Sequence, residues 1–189
     1  VLEATKPPLP AAARSLHYLL FTPFRYRSPF GSRFRSPLDP GVFYGAETVR
    51  TACAELGYWR WRFLKDSAGL KELGPAPQTL FEVGVKTLAV GLERAPFSRD
   101  SASWKHPSDY STTQEFGAVA RTAGVGLIRY ASVRDPQPGR CGAVMTPAAF
   151  SSKRPISPQQ TWFLTVTGEF AAFHRDREVL DFDMRRWRS

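Results

Sequence analysis

The chain has 189 residues, 42% of them hydrophobic and 13% aromatic, which suits one folded domain with a sizeable core and excludes a disordered chain. Its formal charge of +9, from 26 basic and 17 acidic residues, favours nucleic acid, an anionic cofactor or an acidic partner. No apolar run approaches the roughly 18 residues of a membrane-spanning helix, and two cysteines with three widely separated histidines offer no zinc-binding spacing.

Residues 1–13, with Pro7, Pro8 and Pro10, read as an N-terminal arm, and residues 14–189 as the domain. The arm shows no secretory signal pattern, and Val1 leads us to expect a trimmed start or preceding sequence. Residues 15–21 predict a short helix or strand. Residues 22–40 hold Pro23, Pro29, Gly31, Pro37 and Pro40 and predict an irregular loop with a short strand at 24–27. A short strand is expected at 42–44. Residues 46–66 give the clearest helix. At about 100° per residue, Val49, Ala52, Cys53, Leu56, Trp59 and Phe63 fall within an arc of about 120°, the expected buried stripe. Glu55 projects about 40° outside that arc, at the margin between core and cleft, and Glu47 points almost directly away from it.

Residues 69–77 read as a turn-rich connection and 79–92 as one strand or two. A polar loop follows over 95–109, then a helix over 110–122 stopped by Gly124. Strands are expected at 125–131 and 141–146 around a turn at 133–139, and a hairpin at 162–167 and 170–175 around Gly168-Glu169. Strands and helices do not alternate regularly, so the fold class is α+β, a single domain with mixed or antiparallel sheets flanked by helices. Cys53 and Cys141 are expected to be buried thiols without a disulfide, and a reducing cytoplasm is the simplest compartment.

Residues 31 to 55 hold an arginine, a tyrosine and a glutamate across a loop, a strand end and a helix. Cation, ring and carboxylate together suit a ligand that combines phosphate, a flat ring and ribose hydroxyls, and nicotinamide dinucleotides have those parts. Arg33 suits a bidentate grip on phosphate or ribose, with Arg35 as its competitor and a solvated loop arginine as the plain alternative. Tyr44 can stack on nicotinamide and bond a ribose through its hydroxyl, or be a core aromatic. Glu55 beside a ribose would stabilise the charge that builds as the nicotinamide bond breaks; otherwise it is a surface partner of Arg60, Arg62 or Trp59. Ser132, at a strand end, would bond a phosphate or position the glutamate, or simply form a turn; nothing gives it a nucleophile's setting. Trp104, His106 and Tyr110 either wall a cleft or pack a loop. No metal site is expected.

Four pieces in order resemble the RES family, named for its Arg, Glu and Ser: Ser32-Arg33-Phe34, Gly41-Val-Phe-Tyr44-Gly-Ala-Glu47, Ala52-Cys-Ala-Glu55 and Gly124-Val-Gly-Leu-Ile-Arg-Tyr-Ala-Ser132-Val-Arg-Asp-Pro136. The resemblance runs over roughly residues 24–175. It departs from the family at Phe34-Arg35, where Trp-Asn or Phe-Asp is common. It implies the toxin half of an Xre–RES toxin–antitoxin pair, with a fold like the ADP-ribosyltransferase toxins of the diphtheria-toxin type. It further implies NAD+ as substrate, cleaved at the nicotinamide–ribose bond. ADP-ribose then goes to a protein such as a phosphoribosyl pyrophosphate synthetase, or to phosphate or water. Arg33, Tyr44 and Glu55 would be catalytic, with Arg33, Tyr44, Ser132 and Arg35 holding the dinucleotide. The implied partner is a helix-turn-helix antitoxin of Xre type that blocks the cleft near Arg33, Tyr44 and Glu55.

A nucleic-acid-binding module is the competing class, resting on charge and on Trp59-Arg-Trp-Arg62 and Arg185-Arg-Trp-Arg188. No recognised motif supports it, and Trp59 is expected to face the core. A scaffold with a dead site is disfavoured by intact Arg33, Tyr44, Glu55 and Ser132. Neither membrane nor direct nucleic-acid binding is expected.

Overall fold

A computed structural model describes residues 7–26 and 28–187. Expectations for residues 1–6 of the arm, for Arg27 and for Arg188 lie outside the described residues. The architecture is α+β, and the chain divides into two compact units interleaved in sequence. The first unit takes the chain through Gly45 with Val83–Ala131 and Gly142–Ser157; the second takes Ala46–Glu82, Ser132–Cys141 and Pro158–Ser189. In chain order the elements are α1 (Tyr18–Arg25), β1 (Phe43–Ala46), α2 (Val49–Asp66), β2 (Leu73–Leu80), β3 (Ala89–Gly91), α3 (Ser101–Trp104), α4 (Ser111–Thr122), β4 (Leu127–Ala131), β5 (Arg140–Val144), β6 (Gln160–Val166), β7 (Phe170–Arg175) and β8 (Glu178–Asp183).

One sheet runs β1-β5-β4-β3, with β3 and β4 parallel. In the first unit, Phe24 of α1 packs with Val144 and Ala149, alongside Phe43, Val85, Leu127 and Phe150. The strand expected at 24–27 is therefore replaced, over its described part, by the end of α1. Leu20 and Phe24, one helical turn apart, are the residues α1 buries. His17 caps the helix through Nδ1, which accepts the Leu19 N–H at 3.3 Å, and the turn tolerates Pro23 near its end. Helix α4 stops where expected, with Gly124 just beyond it at φ +73°.

The second unit holds an antiparallel sheet in the order β2-β6-β7-β8, with α2 packed on β6, β7 and β8. The segment 69–77 is not only a connection, because β2 already begins at Leu73. It is an edge strand, where Pro75 and Pro77 cost no interior ladder bonds. Strand β8 and the 3-10 turn Met184–Trp187 have no counterpart among the elements expected from the sequence, in which only the arginines of 185–188 stand out. The tail is core: Met184 and Trp187 join Tyr58, Trp61, Leu64, Trp162, Leu164, Phe173 and Phe182 in one buried cluster.

Helix α2 starts at an N-cap, Thr48, whose hydroxyl accepts the Thr51 N–H at 3.1 Å. Its buried face is Thr51, Cys53, Ala54, Gly57, Tyr58, Trp61 and Leu64, turned by about 140° from the expected stripe. Trp59 is 51% exposed and Trp61 only 5%. The helix carries large rings on both sides, so periodicity alone does not choose between them. Close approach chooses: a Cβ on Gly57 would stand 3.3 Å from both Ala171 Cβ and the Trp187 ring, so the glycine lets the helix settle against β7. Glu55 lies about 40° outside the observed arc as well, at its opposite edge, and is half-buried. Both cysteines are free and buried, and burial pushes the Cys53 thiol up to about 12.

These two tryptophans give a direct test. Trp61→Ala should cost about 3–5 kcal/mol in urea unfolding through the cavity it leaves, whereas Trp59→Ala should stay within about 0.5 kcal/mol. The reverse order would restore the stripe first read from the sequence.

Candidate active site

In the first unit the chain makes a tight turn at 32–35. The Ser32 N–H donates to the Arg35 carbonyl at 2.8 Å and the Arg35 N–H to the Ser32 carbonyl at 3.1 Å. The turn buries both arginines but engages them differently. Arg33, 8% exposed, donates through Nη1 to the carbonyls of Trp104 (2.9 Å) and His106 (3.1 Å). Its guanidinium lies over the Tyr110 ring, 4.6 Å from the centroid. Among the described residues no carboxylate pairs with it, and its Nε and Nη2 groups have no partner. A buried cation fixed by neutral carbonyls and lacking a counter-charge is a ready acceptor for an anion.

Arg35, 6% exposed, donates through Nη1 to the carbonyls of Ser28 (3.2 Å), Ser36 (3.3 Å) and Asp39 (3.5 Å), and through Nη2 to that of Phe30. All four acceptors belong to its own loop, so Arg35 holds that loop together.

Tyr44 on β1 supports the same turn. Its hydroxyl accepts the Phe34 N–H at 3.0 Å and shares a 2.8 Å hydrogen bond with Ser32 Oγ. Tyr44 as a residue is 37% exposed while its hydroxyl end is desolvated, which raises the phenol above its usual range despite the neighbouring guanidinium groups. The hydroxyl is thus turned to the protein. The loop residues serve Arg33: the Trp104 indole donates to the Phe97 carbonyl at 2.7 Å, and His106 Nδ1 accepts the Asp109 N–H at 2.8 Å. Sequence offered no sign of this cradle, because its acceptors are main-chain oxygens.

In the second unit the structure brings Glu55 and Ser132 together. The Ser132 hydroxyl donates to Glu55 Oε1 at 2.6 Å, and the Cys141 thiol lies 3.7 Å from the same oxygen. Ser132 Oγ also accepts the N–H groups of Arg134 (3.1 Å) and Asp135 (3.0 Å). With both acceptor sites filled, the hydroxyl proton has Glu55 as its partner. Oε2 of Glu55 has no partner among the described residues. Glu47 is exposed and lies 3.9 Å from Arg140. Among the described residues there is no group of three His, Cys, Asp or Glu that could hold a metal, and no helix long and apolar enough to cross a membrane.

The family model of the RES domain matches residues 8–167. The chain belongs to the RES family. No curated protein matches the sequence. RES domains are associated with NAD-related toxins of toxin–antitoxin systems, which gives the buried arginine and the half-held carboxylate of this RES domain a chemical context.

Tyr44→Phe should leave the Phe34 N–H without its acceptor and cost about 1–3 kcal/mol near neutral pH. Above pH ~10 the unfolded tyrosine ionises while the folded one keeps its proton, so wild type loses stability as pH rises through that range. The gap between wild type and variant should therefore narrow above pH ~10 in urea melts; a constant gap would remove the assigned cause.

Proposed function

We propose that this RES domain is an enzyme toxin that breaks the nicotinamide–ribose bond of NAD+ and passes ADP-ribose to a protein acceptor. The reading rests above all on Glu55, whose carboxylate has one oxygen held by Ser132 and the other without a partner among the described residues. As the C–N bond lengthens, nicotinamide leaves with the bonding pair and positive charge spreads over the ribose carbon and ring oxygen. A fixed carboxylate beside the sugar stabilises that charge without reorganising, as carboxylates do in glycoside cleavage. The acceptor then bonds to the ribose carbon and gives up its proton.

Arg33 is assigned the pyrophosphate, because its buried charge has no carboxylate partner among the described residues. The Tyr44 ring is assigned to stacking. Arg35 is assigned to the loop instead of the dinucleotide, because its guanidinium is engaged by carbonyls. We further infer the ADP-ribosyltransferase type of fold, a cytoplasmic site of action, and an Xre-type antitoxin whose acidic or carboxylate-ended segment covers Arg33.

Labelled NAD+ in cell extract, with and without added phosphate, tests the reaction. Label on a protein band supports transfer. Label in a small product, rising with phosphate or independent of it, assigns phosphorolysis or hydrolysis instead. Glu55→Gln should lower turnover by about 10²–10³-fold with the fold intact, while Glu47→Gln should change little; equal turnover by wild type and Glu55→Gln would sink the proposal. Arg33→Ala should weaken NAD+ binding by about 1.5–3 kcal/mol in calorimetric titration, whereas Arg35→Ala should lower the melting temperature first.

A further inference from the structure

Three residues beyond Ser132, the Asp135 side chain is only 2% exposed and reaches back to α2. Its Oδ2 accepts the Thr51 hydroxyl at 2.8 Å, and its Oδ1 accepts Arg50 Nε at 3.3 Å and the Gln137 N–H at 3.1 Å. The turn is pressed against the helix at this point: a Cβ on Gly139 would stand 2.4 Å from Thr51 Oγ1 and 3.0 Å from Asp135 Oδ2. Between these anchors, the Arg134 guanidinium lies 3.4 Å from the centroid of the Tyr58 ring, and the Arg134 carbonyl accepts the Trp187 indole N–H at 2.8 Å.

Besides Arg50, the helix residues that grip the turn are Thr51, Glu55 and Tyr58, spaced i, i+4 and i+7 along one edge of α2. Thr51 sits one helical turn, about 5.4 Å, before Glu55. Thr51 holds Asp135, and Glu55 receives Ser132. The Asp135 N–H closes the pattern by donating to Ser132 Oγ, which fills one of the hydroxyl's two acceptor positions.

We propose that Asp135 and Thr51 are positioning residues for Glu55. They fix the 132–139 turn in register with α2, so that the Ser132 hydroxyl can point its proton only at Glu55 Oε1 and Oε2 is left to face substrate. Neither touches the reacting atoms. The inference rests on the reading of Glu55 as the working carboxylate.

Steady-state NAD+ turnover tests it, with folding of each variant checked by circular dichroism and melting temperature. Thr51→Val keeps the shape of the side chain and removes the hydroxyl. It should lower kcat about tenfold, the scale of one lost hydrogen bond to a charged group, with KM for NAD+ little changed. Thr51→Ser should recover most of the loss. In a Ser132→Ala background, Thr51→Val should add little, because both act through one hydroxyl. Asp135→Asn should follow Thr51→Val and serves where the valine variant folds poorly.

Folded Thr51→Val and Asp135→Asn variants with wild-type kcat would overturn the proposal. So would losses that simply multiply with that of Ser132→Ala, or a Thr51→Ser variant as slow as Thr51→Val. A wild-type chain that turns over no NAD+ would remove the reading of Glu55 and this inference with it. Normal wild-type turnover beside unaffected Thr51 and Asp135 variants would remove this inference alone.

Discussion

A serine hydroxyl has one proton and two lone pairs, and at Ser132 all three are committed. The N–H groups of Arg134 and Asp135 take the lone pairs, and the proton goes to Glu55. This fixes which carboxylate oxygen is held and which is left over. It also explains why the turn after β4 needs so many fastenings. A hydroxyl rotates freely unless its neighbours are placed first, and Asp135, Arg134 and Gly139 are placed by α2 and by Trp187. The second unit can be read outward from that one group: the helix edge that grips the turn is continuous with the helix face that builds the core.

The first unit answers a different problem, how to keep a guanidinium buried. Arg33 and Arg35 are two residues apart, and both are nearly inaccessible. Four carbonyls surround Arg35, which makes it a clasp for an irregular, proline-rich loop. Arg33 has two carbonyls and an aromatic face, enough to fix its direction and too little to balance its charge. Desolvation of an unbalanced cation strengthens its attraction for an anion at the same distance. Tyr44 connects the two tasks, since its hydroxyl secures the turn on which both arginines sit.

The α+β class, helices α2 and α4, the stop at Gly124 and the β6–β7 hairpin were legible in the sequence, because each rests on local periodicity or turn chemistry. The buried face of α2 was not. Tyr58, Trp59, Trp61 and Phe63 place large rings on opposite sides, and only the approach of β7 to Gly57 breaks the tie. The C-terminal stretch was misread for a related reason. Arg185 and Arg186 dominate its composition, while Met184 and Trp187 on either side of them supply its burial. Prolines hid β2, whose edge position removes the penalty they carry elsewhere. In the candidate site, the residue types were legible and their partners were not. Arg33 and Arg35 are indistinguishable as letters and differ only in which oxygens surround them.

The oxygens that orient Arg33 belong to peptide groups and not to side chains. The residue at position 106 can therefore change without moving the acceptor as long as its side chain still accepts the Asp109 N–H, as the His106 imidazole does. Scored letter by letter, such a loop looks free to drift. Its carbonyl positions are as constrained as the arginine they hold, and loop length and backbone path are the quantities in which that constraint is written.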